Sequence, residues 1–187
     1  MQKDFFSQRK FAVLSKLDKS FIGEWDKKII PICEKINSKE EFYTTSSCAG
    51  RIVLMLDKEK KSPDLFLKVW HDRISFNELK KSLKEISGKN LVKFKFEPPI
   101  LHIACRDLES ASRLLEKAKS IGWRRSGINA LGKNIVLELN STERLEFPIL
   151  DNGKVLVEDN FLKLIIKQAN EKLKKGWRKI EKLREII

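Results

Sequence analysis

The sequence predicts one α/β or α+β domain, residues 1–187, with a mixed β-sheet covered by helices. Three observations carry that reading. Short β-branched apolar runs, such as Ile52–Leu56 and Leu65–Trp70, are bounded by turn residues and suit buried strands. Other stretches repeat their apolar residues at helical spacing, most clearly at the C-terminus. A hydrophobic fraction of 41%, with 11 Phe and 4 Trp, can fill a real core, and no linker or low-complexity tract divides the chain.

The elements follow in order. Lys3 to Leu17 sets Phe6, Lys10, Val13 and Leu17 on one helical face. Asp18 to Asp26, with Ser20 and Gly23, breaks that helix. Glu24 to Ile36 presents Trp25, Ile29, Ile32, Cys33 and Ile36, a second helix that Pro31 should kink or divide. Glu41 to Thr45 is β-prone, and a tight hydroxyl-rich loop then leads through Gly50 to the strand Ile52–Leu56. Asp57 to Asp64 is Lys-rich and reads as a hairpin loop before the strand Leu65–Trp70.

Ser75 is an N-cap with Glu78 as its capping-box partner, for a helix of Phe76 to Ile86 that Gly88 stops. Leu91–Phe96 alternates apolar residues with Lys, the pattern of a half-exposed strand. Glu97-Pro98-Pro99 breaks the ladder, since neither Pro can donate a hydrogen bond, and Ile100–Ala104 resumes it. Asp107 caps a helix of Leu108 to Ile121, closed by Gly122. After the Arg124–Ile128 loop come two strands, Asn134–Leu139 and Leu145–Leu150, around a turn at Asn140–Thr142. A basic helix of about 158–186 ends the chain, with Glu158 and Asp159 at the positive end of its dipole. A weak echo between Ser46–Ile86 and Ser126–Lys175 (a small-residue loop, two strands, a helix) suggests an internal pseudo-repeat.

Lys and Arg exceed Asp and Glu by 39 − 26 = 13, which favours a polyanionic partner through counterion release. Cys33, Cys48 and Cys105 are widely spaced, without C-x-x-C, which argues against a zinc site and fits a reducing cytoplasm. A Cys48–Cys105 bridge is left open. The chain opens without a signal-peptide pattern, and no apolar run approaches the roughly 18 residues of a membrane helix.

Five pieces of sequence stand in order: TTSSCAGR (Thr44–Arg51), Trp70-His71, FKFEPPILHIACR (Phe94–Arg106), GWRRSGI (Gly122–Ile128) and LEFPIL (Leu145–Leu150). Together they resemble the wybutosine-synthesising tRNA N4-methyltransferase family, over roughly Asp18 to Ala169. The resemblance implies methyl transfer from S-adenosylmethionine to N4 of the 4-demethylwyosine-type base, derived from the guanosine beside the anticodon of phenylalanine tRNA. No metal is implied. No G-x-G-x-x-G follows a strand, so the cofactor site is not of the doubly wound Rossmann design.

The resemblance points to Ser46, Ser47, Cys48, Gly50 and Arg51 for the cofactor, Arg51 otherwise pairing with a nearby carboxylate. A proton must leave the nucleophilic nitrogen, and His71 at its strand exit is the candidate base, with Glu97 second. Glu97 otherwise pairs with Lys93 or Lys95. Trp70, His102, Arg125 and Ser126 are candidates for substrate contact, and Lys167, Lys174 and Arg178 for phosphates along the last helix. Trp123 is a second stacking candidate, and Arg106 a further anion-binding one. The competing function is a non-catalytic RNA-binding module whose Ser/Arg loop holds phosphate. A third reading makes Cys48 a nucleophile or redox thiol.

Overall fold

The protein was studied as a computed structural model, which describes residues 4–16, 26–58 and 63–187. The break predicted after the first helix, up to Trp25, and half of the Lys-rich turn beyond Leu56 (residues 59–62) lie outside the described residues. In chain order the elements are α1 (Phe5–Leu14), α2 (Ile30–Ser38), β1 (Phe42–Cys48), β2 (Arg51–Leu56), β3 (Phe66–Trp70), α3 (Phe76–Glu85), β4 (Val92–Glu97), β5 (Ile100–Cys105), α4 (Leu108–Ser120), β6 (Gly127–Leu131), β7 (Ile135–Asn140), β8 (Leu145–Asp151), β9 (Lys154–Val155) and α5 (Asp159–Ile186).

The chain divides into two compact units. The first comprises Met1–Ala49, Pro99–Thr142 and Trp177–Ile187; the second comprises Gly50–Pro98 and Glu143–Gly176. Strand order is β1-β5-β7-β6 in the first and β3-β2-β4-β8-β9 in the second. All pairings among the described residues are antiparallel, so the class is α+β, with two antiparallel sheets where the sequence suggested one mixed sheet. The reason is topological. The strands flanking α3, β3 and β4, run parallel but have β2 between them, and those flanking α4, β5 and β6, have β7 between them. Each crossover skips a place that an antiparallel strand fills. That split arrangement is the echo the two units share. The intervals proposed from sequence do not match it, because Ser126–Lys175 holds β6 and β7 of one sheet and β8 and β9 of the other.

In the first unit, strand periodicity sets the core. Phe42, Leu101, Ile103, Cys105, Leu137 and Leu139 are buried in one cluster with Ile32, Cys33 and Ile36 of α2, Ala111 and Leu114 of α4, and Ile180 and Leu183 of α5. Pro31 does not kink α2: it stands in the first turn, where its missing N–H leaves no hydrogen bond unmade. Phe42 pairs with Cys105 and Cys48 with Ile100, at opposite ends of the β1–β5 ladder, and all three cysteines are free thiols. No Cys48–Cys105 bridge exists.

In the second unit Ile52, Leu54, Phe94 and Phe96 are buried, as are Leu79 and Leu83 of α3 and Leu162, Ile165, Ile166, Ala169 and Leu173 of α5. The Ser75 capping box forms in both directions, Ser75 N–H to Glu78 Oε2 at 2.7 Å and Glu78 N–H to Ser75 Oγ at 3.2 Å. Asn170 clamps the backbone of Ile74, donating to its carbonyl at 2.8 Å and accepting from its N–H at 3.1 Å. The expected turn at Asn140–Thr142 closes no hairpin; β7 and β8 belong to different sheets. Two strands escaped the sequence reading: β6 is mostly exposed and lacks alternation, and β9 has two residues. Among the described residues no helix is long and apolar enough to cross a membrane.

Candidate functional site

The hydroxyl-rich stretch is a strand, not a loop. Thr44 to Cys48 continues β1 along β5, with a bulge between Thr44 and Ser46, and only Ala49–Gly50 turns. Gly50 sits at φ 98°, a conformation that a Cβ would strain. The pleat sorts the side chains. Thr44 is buried, its N–H donating to Asn37 Oδ1 at 2.7 Å, and Ser47 Oγ lies 3.2 Å from the buried Cys33 thiol. Ser46 is exposed and Cys48 half-buried.

Two residues missed from the sequence organise this strand. Asn37 holds Thr44, and Asp26 accepts the N–H of Ala49 at 3.0 Å and of Lys28 at 3.2 Å. The Asp26 carboxylate lies within 4.8 Å of the Cys48 sulfur. An Asp two residues before the N–H it accepts is a local turn signal. Its reach to Ala49, 23 residues on, is not readable locally.

Further across the same sheet the register aligns Ser46, His102, Glu138 and Gly127 on β1, β5, β7 and β6. His102 Nε2 is 2.9 Å from Glu138 Oε2, to which Asn129 also donates at 2.6 Å. Burial pushes the Glu138 carboxyl up, but the bonds from His102, Asn129 and Asn140 outweigh it and hold it below the ordinary glutamate value. Ser126 is buried and fastens the end of β7: its hydroxyl accepts the Asn140 N–H at 3.0 Å. Arg125 is exposed beside it, its N–H donating to the Asn140 carbonyl.

The second unit assembles other pieces. Ile52 faces Trp70 and Arg51 faces Glu97, so Gly50-Arg51, Trp70-His71 and Glu97 come to one end of β2–β3–β4. Arg51 Nε donates to Glu97 Oε2 at 2.6 Å, and its guanidinium lies 4.7 Å from the Phe66 ring centroid. Lys95 reaches the other Glu97 oxygen at 3.1 Å and Glu146 at 3.8 Å; Lys93 pairs with Asp57 at 2.8 Å and Glu146 at 3.5 Å. Burial raises the Glu97 carboxyl, yet Arg51 and Lys95 pull it below its ordinary value. Both pairings foreseen for Arg51 and Glu97 are therefore present. A carboxylate so held is a weak proton acceptor; His71 is half-buried in the bend after β3.

Lys167 and Arg178 are exposed on α5, and Lys174 pairs with Glu171 at 3.0 Å. Trp123 is fully buried, its indole N–H 3.4 Å from the Lys179 carbonyl, so it offers no stacking surface. Arg106 pins α1, bonding Asp4 at 2.8 Å and stacking on Phe6. That contact, with the Ser7 N–H, holds the Asp4 carboxyl down at about 2.

The missing glycine fingerprint now has a structural reason. A Rossmann site sits where a parallel strand feeds a helix N-terminus, and these sheets contain no parallel pair among the described residues. Comparison with known proteins gives a consistent answer. The sequence model described as Methyltransferase TYW3 matches residues 8–187. A Methanocaldococcus jannaschii protein named tRNA(Phe) 7-((3-amino-3-carboxypropyl)-4-demethylwyosine(37)-N(4))-methyltransferase is 39% identical, over 82% of this chain and 81% of its own. The Danio rerio tRNA wybutosine-synthesizing protein 3 homolog is 34% identical, over 100% of this chain and 76% of its own. A solved Pyrococcus horikoshii protein superposes with a TM-score of 0.88 at 32% identity, covering 97% of this chain and 93% of that one. With the five motif pieces placed on β1, β5 and the start of β6 in one unit and on β2, β3, β4 and β8 in the other, the chain belongs to the Methyltransferase TYW3 family.

Proposed function

We propose that this methyltransferase moves a methyl group from S-adenosylmethionine to N4 of the 4-demethylwyosine-type base of tRNA(Phe), next to the anticodon. The observation that carries the reading is the meeting of Gly50, Arg51, Trp70, His71 and Glu97 at one end of β2–β3–β4, from three motif pieces distant in sequence. The archaeal relatives named for this reaction, at 34% identity or more over most of the chain, support it.

The residues fit such a donor. Its amino-acid end carries a carboxylate, and Arg51 is bound through Nε alone, its terminal amines making no other hydrogen bond among the described residues. Gly50 allows close backbone approach. When bound, the cofactor supplies a methyl already activated by a sulfonium. The chain's own work is alignment, exclusion of water and removal of one proton. Glu97 fixes Arg51, and His71 takes the proton from the base nitrogen. On β1, Ser46 and Cys48 are further cofactor candidates, while Ser47, turned to the Cys33 thiol, supports the strand; Trp70, His102 and Arg125 serve the RNA, Ser126 holds the end of β7, and Lys167, Lys174 and Arg178 meet phosphates. A tRNA substrate and free thiols accord with a cytoplasmic protein.

Calorimetric titration of S-adenosylmethionine, followed by transfer of labelled methyl to tRNA(Phe) bearing the demethylated base, tests the reading. Micromolar binding and base-dependent labelling are expected. No cofactor binding with or without tRNA would favour the non-catalytic RNA-binding module.

A further inference from the structure

Glu138 collects more hydrogen bonds than a surface carboxylate needs. His102 reaches one oxygen at 2.9 Å and Asn129 the same oxygen at 2.6 Å, while Asn140 donates to the other at 3.4 Å. A half-exposed His–carboxylate pair adds little to stability, so stability alone does not explain the three donors. An ionised carboxylate only accepts, so in this contact the His102 proton is on Nε2. That leaves Nδ1, which has no partner among the described residues on a side chain that is 28% exposed. Beside the pair there is room. Gly127 stands opposite Glu138 on β6, and a Cβ there would meet nothing within 4 Å. On the other side, across β1, Ser46 is exposed opposite His102.

Resting on the reading that this chain binds tRNA, we propose that Glu138 is a specificity-determining positioning residue. It locks His102 with the proton on Nε2, so that Nδ1 accepts a hydrogen bond from an N–H edge of an RNA base lying over Gly127. Asn129 serves the same end by holding the carboxylate. A base without an N–H on the edge it presents leaves Nδ1 unpaired and is discriminated against.

With two His in the chain, nitrogen-15 spectra assign His102 by comparison with His71→Gln. The free protein should show the Nε2–H tautomer of His102, and Glu138→Gln, whose amide both donates and accepts, should give a mixture of tautomers. Glu138→Gln should also weaken tRNA binding by roughly fivefold or more, the size of a lost hydrogen bond. In a His102→Ala background the same change should do nothing further, since it acts through the ring. Gly127→Val should weaken tRNA binding by filling the recess, with the tautomer unchanged. An additive effect of Glu138→Gln on top of His102→Ala would make Glu138 merely structural and overturn the proposal. So would an Nδ1–H tautomer in the parent protein. A chain that methylates tRNA with affinity unchanged by His102→Ala would overturn this proposal and leave the methyltransferase reading standing; a chain that binds no tRNA would overturn both.

Discussion

Arg51 joins two demands on one side chain: it stabilises the start of β2 through Glu97 and keeps its terminal amines without another hydrogen bond among the described residues. If those amines anchor the donor's carboxylate, Arg51→Ala should cost at least tenfold in cofactor affinity, about 1.4 kcal/mol, by calorimetry. Arg51→Lys should recover little, because an ammonium lacks the guanidinium fork. Unchanged affinity with a lowered melting temperature would make Arg51 a structural partner only. The Glu97 carboxyl is depressed in the folded state, so its contribution to stability is present near neutrality and is lost as the pH falls through the folded value. Glu97→Gln should therefore lower the melting temperature near pH 7 and progressively less as the pH falls through the folded carboxyl value, below which parent and variant carry the same charge. His71 is the residue whose loss should touch chemistry alone. His71→Ala should slow single-turnover methyl transfer about a hundredfold with both affinities nearly intact. A near-parent rate would assign the proton to solvent.

Among the elements, α5 carries the clearest charge asymmetry. Its buried residues recur at helical spacing from Leu162 to Leu183, while Lys167, Lys175, Arg178 and Lys182 are exposed. Lys167, Lys174 and Arg178 lie seven and four residues apart, one stripe along a helix of 28 residues, about 42 Å long. Neutralising the three together should flatten the salt dependence of tRNA binding by about 0.7–0.9 logarithmic units per lost phosphate contact, leaving cofactor affinity alone. A slope equal to the parent's would remove this helix from the RNA interface. Element boundaries were legible wherever the signal is local: the caps at Ser75 and Asp107 begin their helices as read and Gly122, at positive φ, follows the end of α4, whereas α3 already ends at Ile86 in extended backbone, two residues before Gly88. Pro31 misled because a proline's meaning depends on whether it stands inside or at the start of a helix.

At the scale of the whole molecule, the chain passes between its two units four times, at Ala49–Gly50, Pro98–Pro99, Thr142–Glu143 and Gly176–Trp177, the last inside α5. Neither unit is a continuous piece of sequence. Unfolding one would release the strands and the helix that tether the other, so we expect one cooperative transition across residues 1–187. Calorimetric and van't Hoff enthalpies should agree. Two resolved transitions would show independent domains instead.

The sequence by itself determined what depends on neighbours a few residues away. It marked strands by β-branched runs, helices by period and caps, and a family by five ordered motifs, and its charge favoured a polyanionic partner. Tertiary structure alone decided which strands are neighbours, because β2 and β7 enter between the strands that α3 and α4 connect. It turned the hydroxyl run into a strand held by Asp26 and Asn37, and it set Glu138 beside His102, 36 residues away. Side-chain chemistry is written in the sequence. The distances that let one carboxylate restrain an arginine or a histidine exist only once the sheets have closed.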